Sequence, residues 1–222
     1  MPFNNSKYKH VDKKTVLKDG YVVDGMNEFE RNVKRLFDMV VALICLILFS
    51  PLFLFCYIAI KREHSGSVIF KQERIGRFGR PFYIYKFRSM LVDAEEMGPE
   101  LCDAVDDNRL TKAGKFLRVH HLDELPQFWN VFKGEMSFVG PRPERQFFIE
   151  QIMERDPRYK CLYQIRPGIT SMATLYNGYT DTMEKMLKRL EMDLDYLENR
   201  SWALDLKILG LTFFRIAFGK VF

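Results

Sequence analysis

Cysteine is sparse in this 222-residue chain, and its four cysteines show no C-x-x-C spacing. Two of them, Cys45 and Cys56, lie inside one long apolar run. A disulfide framework or a zinc site needs closer and more regular spacing, so the sequence argues against both. This cysteine usage is typical of a chain whose bulk faces a reducing cytosol.

A strong excess of one charge is also absent, because the formal net charge is only +5. Mild basicity suits a nucleic acid, an anionic membrane surface or a phosphorylated substrate, and does not choose among them. Residues 1–30 are polar and lack sustained periodicity, which predicts a loosely packed segment. We do not interpret it as a signal peptide, because the apolar run begins too late and no small-residue cleavage site follows it.

Charge is missing altogether from residues 39–60, MVVALICLILFSPLFLFCYIAI. This run is long enough to cross a hydrocarbon core of about 30 Å, but Ser50 and Pro51 interrupt its middle. Two geometries therefore fit: a kinked spanning helix, or a re-entrant helix-break-helix that returns to the same face. Basic residues flank both ends of the run: Arg31, Lys34, Arg35, Lys61, Arg62, Lys71 and Arg74. This symmetry favours the re-entrant form, because positive flanks stay in the cytosol.

The remaining pattern predicts an α+β fold, a mostly helical membrane-associated domain with a small β-hairpin. Strands are expected at residues 68–70 and 82–87, and helices at 93–101, 111–119, 144–155, 181–199 and 202–218. The last helix is apolar but short for a span, which predicts an amphipathic helix lying at a membrane interface. Three regions follow: a polar segment 1–30, a re-entrant anchor 31–62 and a cytosolic domain 63–222 that ends in the interfacial helix.

Residues 118–144, RVHHLDELPQFWNVFKGEMSFVGPRPE, concentrate side chains that folding alone explains poorly. Asp123 and Glu124 precede a predicted helix that turns Leu125, Phe128, Trp129 and Val131 toward a core and ends at Gly134. That places the acids at a helix N-terminus. Helix capping and a functional role both explain an acid pair there, and both interpretations remain open.

Cations nearby are candidates for holding a phosphate. Lys86 and Arg88 share one face of the second strand, and Arg118, Arg142 and Arg166 lie in or near the central stretch. The alternative for the strand pair is a role as surface cations beside an anionic membrane.

Six short motifs occur in a fixed order behind the Ser-Pro break. They are FKQERIG (70–76), YKFRSM (85–90), LDELPQ (122–127), NV (130–131) with Gly134 and MS (136–137), VGPRP (139–143) and RPGIT (166–170). This ordered set resembles the bacterial sugar transferases, small monotopic phosphoglycosyl transferases that start glycan assembly. The resemblance covers residue 31 to the C-terminus.

The resemblance implies transfer of a sugar-1-phosphate from a UDP-sugar to undecaprenyl phosphate, with release of UMP. Asp123 would be the nucleophile that forms a phosphosugar-aspartyl intermediate, and Glu124 would hold Mg²⁺. Further residues would contact the substrate, with the Pro-Arg-Pro at its nucleotide end: Lys86, Arg88, Arg118, Pro141, Arg142, Pro143 and Arg166.

The resemblance also implies partners and a location. The expected partners are the nucleotide sugar, the polyprenyl phosphate and membrane lipid, without nucleic acid, and a homo-oligomer remains open. The protein would lie in the bacterial inner membrane with its catalytic domain on the cytoplasmic face, which favours the re-entrant anchor. A non-catalytic membrane-surface scaffold is the main rival, and mild basicity alone suggests nucleic-acid binding.

One departure from the family is the pair His120-His121, where many members carry Thr-Ser or similar residues. Two histidines beside two acids suggest a transition-metal site, or packing and support of the acids. The second interpretation is preferred, because a diphosphate substrate already requires magnesium.

Overall fold

The protein is described by a computed structural model over residues 21–63, 66–91, 109–178 and 180–218. The helices in these ranges are α1 (Glu28–Leu48), α2 (Ser50–Glu63), α3 (Lys112–Val119), α4 (Gln127–Lys133), α5 (Gln146–Arg155), α6 (Met172–Asn177), α7 (Met183–Asn199) and α8 (Trp202–Ala217). The strands are β1 (Ile69–Ile75), β2 (Pro81–Phe87), β3 (Ser137–Val139) and β4 (Gly168–Thr170). The helix predicted at 93–101 lies outside the described residues. The α+β class and the antiparallel hairpin are confirmed.

Helix α1 begins well before the apolar run because Asn27 and Glu30 form a capping box. The Asn27 side chain accepts a hydrogen bond from the Glu30 amide at 2.9 Å, and the Glu30 carboxylate accepts one from the Asn27 amide at 2.8 Å. Helix α2 begins at Ser50, and its axis is bent by 60° from that of α1. The predicted break is confirmed, with Pro51 in the first turn of α2, where its missing N–H breaks no helical bond.

Within the described ranges, no single helix has both the length and the apolar composition to cross a membrane, and α1 with α2 reaches them only as a bent pair. Helices α1, α2 and α8 nevertheless carry most of the exposed large apolar side chains. Leu48, Leu54 and Phe213 are 67%, 60% and 73% exposed. Contiguous apolar exposure of this kind marks a surface that contacts something other than water.

The hairpin pairs β1 with β2 from Ile69 opposite Phe87 to Ile75 opposite Pro81. Strand β1 is longer than the predicted 68–70, because part of the basic connection KQERIG continues the ladder. A tight turn at Arg77–Gly79 closes the hairpin.

A second, parallel ladder joins β3 to β4, with Ser137 opposite Gly168 and Val139 opposite Thr170. Strands β3 and β4 are not among the strands expected from the sequence, since three residues are too few for a recognisable strand pattern. At the end of this ladder the backbones of Gly140 and Gly168 lie very close together. A side chain on residue 168 would not fit, because its Cβ would lie 2.1 Å from the Gly140 nitrogen. This contact brings the two proline-containing motifs side by side.

The main core packs α5 and α7 against the hairpin and the parallel ladder. On α7, Met186, Leu190 and Leu197 are buried, as the helical spacing predicts. The inward orientation predicted for Trp129 is wrong, because its side chain is 47% exposed. Helical spacing in the helix predicted at 144–155 would also turn Phe147 inward, but its side chain is 50% exposed. Trp129 stacks on the ring of Phe132, whereas Phe147 contacts the buried Phe148 ring edge-on.

Candidate active site

Asp123 and Glu124 lie in a single 3₁₀ turn, Leu122–Glu124, between α3 and α4. The chain enters this turn through His121, whose φ of 54° is in the left-handed region that histidine seldom adopts. Helix α4 starts only after Pro126, and no side chain caps it. The capping interpretation is therefore wrong. The acids are presented by a turn whose backbone conformation carries a cost.

Glu124 is held by two cations from distant parts of the chain. Lys86 Nζ, from β2, donates to Glu124 Oε1 at 2.6 Å, and Arg142 Nη2 donates to the same oxygen at 2.9 Å. Burial alone would raise the pKa of Glu124, but Arg142 and Lys86 together hold it well below its usual range. Glu124 is therefore ionised at neutral pH.

Asp123 has a different environment, although it is adjacent. It is 7% exposed, and burial raises its pKa to about 6 against the opposing charge of Lys86. Nothing in the described ranges donates a hydrogen bond to its carboxylate. At neutral pH the carboxylate is therefore mainly charged while it accepts no hydrogen bond from the described residues, which is a state suited to a nucleophile.

The three other predicted cations lie in different places. Arg118 lies close enough to Asp123 for its charge to lower the pKa of that acid, and its Nε donates to the Ser89 hydroxyl at 3.1 Å. Arg88 instead donates to the carbonyl of Ser67 at 2.7 Å on the exposed side of the hairpin. Arg166 lines a separate cavity and does not approach the acids. The substrate-binding roles of Arg88 and Arg166 remain predictions without support from this geometry.

The Pro141-Arg142-Pro143 loop is fixed through its carbonyl groups. Gly168 N donates to Pro141 O at 2.8 Å, and Arg74 Nη1 donates to Pro143 O at 3.3 Å. Proline has a fixed φ and no N–H, so these bonds leave the backbone around Arg142 little freedom. In this structure the prolines orient Arg142 toward Glu124.

A cavity of about 470 Å³ opens beside Glu124, and both polar and apolar side chains line it. The polar lining residues are His120, His121, Glu124, Arg142, Arg189 and several threonines. The apolar lining residues are Phe49, Leu52, Leu125, Phe128, Phe138, Ile169, Leu209, Phe213 and Ile216. Phe49 lies at the break between α1 and α2, so the site reaches the bent helix pair and α8. Sequence patterns gave no sign of this enclosure.

The histidines occupy different places. His120 packs on the Phe116 ring with centroids 4.4 Å apart, and its Nδ1 lies 2.9 Å from the Phe116 carbonyl oxygen. This contact supports the packing interpretation for His120. His121 lines the cavity, and burial lowers its pKa, so it is mainly neutral at pH 7.

The two acids are also the candidate ligands for a magnesium ion. No three His, Cys, Asp or Glu side chains of the described residues converge as a metal site. Two adjacent carboxylates still match the hard oxygen donors that Mg²⁺ uses when substrate phosphates complete its coordination. The residues present fit a magnesium ion that arrives with a diphosphate.

Behind the cavity lies a second buried ionic network. Glu144 is 6% exposed and accepts hydrogen bonds from Arg74 at 3.4 Å and from Arg189. Arg189 also donates to the Thr180 hydroxyl at 2.9 Å and lines the cavity wall. Sequence patterns did not predict this network, because the residues that form it are far apart in the chain.

Asp193, at the edge of that network, makes stability depend on pH. It is 3% exposed, and burial raises its pKa to about 7. The unfolded state loses this proton near pH 4 and the folded state only near pH 7, so stability falls as pH rises between these values. We expect Asp193→Asn to raise the melting temperature at pH 8, recovering up to about 4 kcal/mol, and to change it little at pH 4. Thermal unfolding at both pH values checks this, and equal shifts at both would contradict it.

Buried acids facing fixed cations, beside a cavity with a largely apolar wall, suit a phosphorylated substrate with an apolar part. The sequence comparison agrees with this class. The chain belongs to the bacterial sugar transferase family, whose profile matches residues 29–219.

Curated relatives cover most of the chain. It is 45% identical over 192 residues to the UDP-glucose:undecaprenyl-phosphate glucose-1-phosphate transferase of Klebsiella pneumoniae, covering 86% of this chain and 41% of that protein. It is 41% identical over 180 residues to the UDP-N-acetylgalactosamine-undecaprenyl-phosphate N-acetylgalactosaminephosphotransferase of Aeromonas hydrophila, covering 81% and 42%. An uncharacterised sugar transferase of Bacillus subtilis is 39% identical over 180 residues, covering 81% and 85%. The chain thus spans about two fifths of the first two relatives.

Proposed function

We propose that the protein transfers a sugar-1-phosphate from a UDP-sugar to undecaprenyl phosphate and thereby starts glycan assembly. The observation that carries the proposal is that Glu124, next to Asp123 in the same turn, lines with Arg142 a cavity whose other wall residues are largely apolar. A polyprenyl phosphate likewise combines an anionic head with an apolar chain. The names of the Klebsiella and Aeromonas relatives support both substrate classes.

The proposed reaction has two displacements at one phosphorus atom. The Asp123 carboxylate attacks the sugar-bearing phosphorus, the bond to the bridging oxygen breaks, and UMP leaves with that oxygen. A phosphate oxygen of the polyprenyl phosphate then attacks the same phosphorus and displaces the carboxylate, forming the lipid diphosphosugar. A covalent route divides one transfer between two anions into two steps.

The other residues have supporting roles. Lys86 and Arg142 lie where they can neutralise the transferring and leaving phosphates, and they keep Glu124 ionised. Glu124, with Asp123 beside it, would hold Mg²⁺, which would offset charge on the diphosphate. Phe128, Phe138 and the apolar residues of α8 would exclude water from the acceptor chain.

The exposed apolar faces support a membrane anchor. We propose that α1 and α2 enter one leaflet and return to the cytoplasmic side of the inner membrane, with α8 lying at the interface. This would place the acids at headgroup depth, where a soluble donor and a lipid acceptor can meet.

The direct test supplies the purified protein with magnesium, undecaprenyl phosphate and a panel of UDP-sugars. Release of UMP with at least one donor supports the proposal and identifies the sugar. If folded protein releases no UMP with any donor, the result would favour the rival hypothesis of a non-catalytic membrane-surface scaffold.

Arg142→Gln is expected to lower the transfer rate by about 10²–10³-fold, because one positioned cation is lost from the phosphates. The rate of UMP release at saturating donor is the measurement. Arg155→Gln removes an exposed arginine on α5 and is the control. Equal rates for the two variants would show that Arg142 does not have the proposed role at the phosphates.

The anchor can be tested with single cysteines at two exposed positions, Glu28 at the start of α1 and Lys71 after α2. In a background without native cysteines, an impermeant maleimide should label both positions from the cytoplasmic side only. Labelling from opposite sides would show that the pair spans the membrane.

A further inference from the structure

A second cavity, of about 30 Å³, lies on the opposite face of the β3–β4 ladder. Ser137 and Val139 line this cavity, whereas Phe138 lines the larger one beside the acids. Successive side chains of a strand point to opposite faces, so β3 separates the two spaces. The second cavity is therefore distinct from the candidate active site.

Its wall is strongly cationic. The charged residues that line it are Arg31, Lys34, Arg35, Asp38, Arg77, Arg166 and Arg200. Three of the cations have carboxylate partners. Lys34 lies 2.6 Å from Asp205, while Arg31 and Arg200 lie 3.3 and 3.5 Å from Asp24.

The other three cations, Arg35, Arg77 and Arg166, have no carboxylate within ion-pair distance in the described part of the chain. Arg35 donates to two carbonyls at the end of α4, a favourable place for a cation. Arg77 and Arg166 each use only Nε, toward the carbonyls of Gln164 at 3.0 Å and Gly134 at 2.8 Å. Their terminal nitrogens make no hydrogen bond to any described residue.

The cluster therefore holds positive charge that the described residues do not balance. Burial, together with the charges of Arg77 and Arg35, lowers the pKa of Arg166 to about 10. Folding brings these like charges together at a cost, which a bound anion would offset.

We propose that this cavity binds a phosphate group through the terminal nitrogens of Arg77 and Arg166. The guanidinium fork matches phosphate oxygens, and the small volume suits one phosphate group rather than a whole nucleotide. Helix α1 supplies Arg31 and Arg35 to the cavity and also carries the exposed side chains Phe29 and Val33. The phosphate could therefore belong to a lipid headgroup or be free in solution, with the same chemistry.

The test measures thermal unfolding of the full chain in two arms. In neutral detergent, inorganic phosphate is compared with chloride at equal ionic strength. In vesicles, phosphatidylglycerol mixed into phosphatidylcholine is compared with phosphatidylcholine alone. At ten times its dissociation constant, the phosphate group should raise the melting temperature by about 3–6 °C. A shift in the first arm indicates free phosphate, and a shift in the second arm alone indicates a headgroup.

The variant Arg77→Gln/Arg166→Gln should lose the shift relative to its own phosphate-free melting temperature. Arg80→Gln, which removes an exposed arginine of the same hairpin outside the cavity, should keep it, and so should Arg142→Gln. Line broadening of the phosphate ³¹P resonance by the wild-type protein tests the soluble arm without any variant. No response in either arm, an unchanged response in the double variant, or loss of the response in Arg142→Gln would overturn the proposal. These readouts do not depend on transferase activity.

Discussion

Replacing Asp123 with asparagine is expected to lower sugar-phosphate transfer by about three orders of magnitude or more. The amide keeps the shape of the side chain but lacks the negative charge that attacks phosphorus. The fold should persist, because no described residue donates a hydrogen bond to this carboxylate and its charge is costly to bury. Incubation with donor alone should leave a phosphosugar adduct on wild-type protein and none on Asp123→Asn, as read by mass spectrometry.

The matched control is Asp195→Asn, which makes the same change at an exposed position on α7. It should retain both the adduct and the transfer rate. An equally abundant adduct on Asp123→Asn protein would show that another residue is the nucleophile. Glu124 would then be the first residue to examine. Because Glu124 is paired with Lys86 and Arg142, we expect it to remain unmodified.

The second large effect concerns stability. Glu144→Gln should cost about 3–5 kcal/mol, because it leaves the guanidinium groups of Arg74 and Arg189 buried without a carboxylate. Domains are stable by only about 5–15 kcal/mol, so this loss would be severe. Activity should fall as well, since Arg74 also holds the Pro143 carbonyl beside Arg142. Melting temperature and UMP release measure the two effects.

Glu150→Gln removes an exposed acid from α5 and controls for the loss of one negative charge. Its melting temperature should stay within about 1 °C of the wild-type value, as is usual for surface substitutions. A similarly small shift in Glu144→Gln would mean that the buried network contributes little to stability.

Local patterns predicted the features that depend on neighbouring residues. The Ser50-Pro51 break follows from the backbone of proline, and the end of α4 follows from Gly134, which adopts φ of 90°. The acid pair was identified as a candidate site from its neighbours and from the order of motifs. Its supposed role at a helix start was wrong, because the left-handed His121 and Pro126 place a separate turn between α3 and α4.

Features that depend on distant residues could not be predicted. Arg74 and Arg189 reach Glu144 across sequence separations of 70 and 45 residues, and no periodicity records such pairs. The contribution of α8 residues to the cavity wall was not predicted for the same reason. The position of Arg166 could not be predicted either: its Nε donates to the Gly134 carbonyl and its side chain lines the second cavity, while its substrate-binding role stays a prediction.

Because buried polar contacts fix the start of α1, the length of that helix determines where its other end lies. Lys34 is tied to Asp205, and Asp38 accepts a hydrogen bond from Ser137 at 2.7 Å, so the start of α1 is fixed to the domain. Deleting one residue between Asp38 and Phe49 would leave these ties intact. It would also shift the break by about 1.5 Å and rotate it by about 100°. The segment of α1 after Asp38 is thus a spacer of fixed length, which sets where the bent pair lies relative to Asp123.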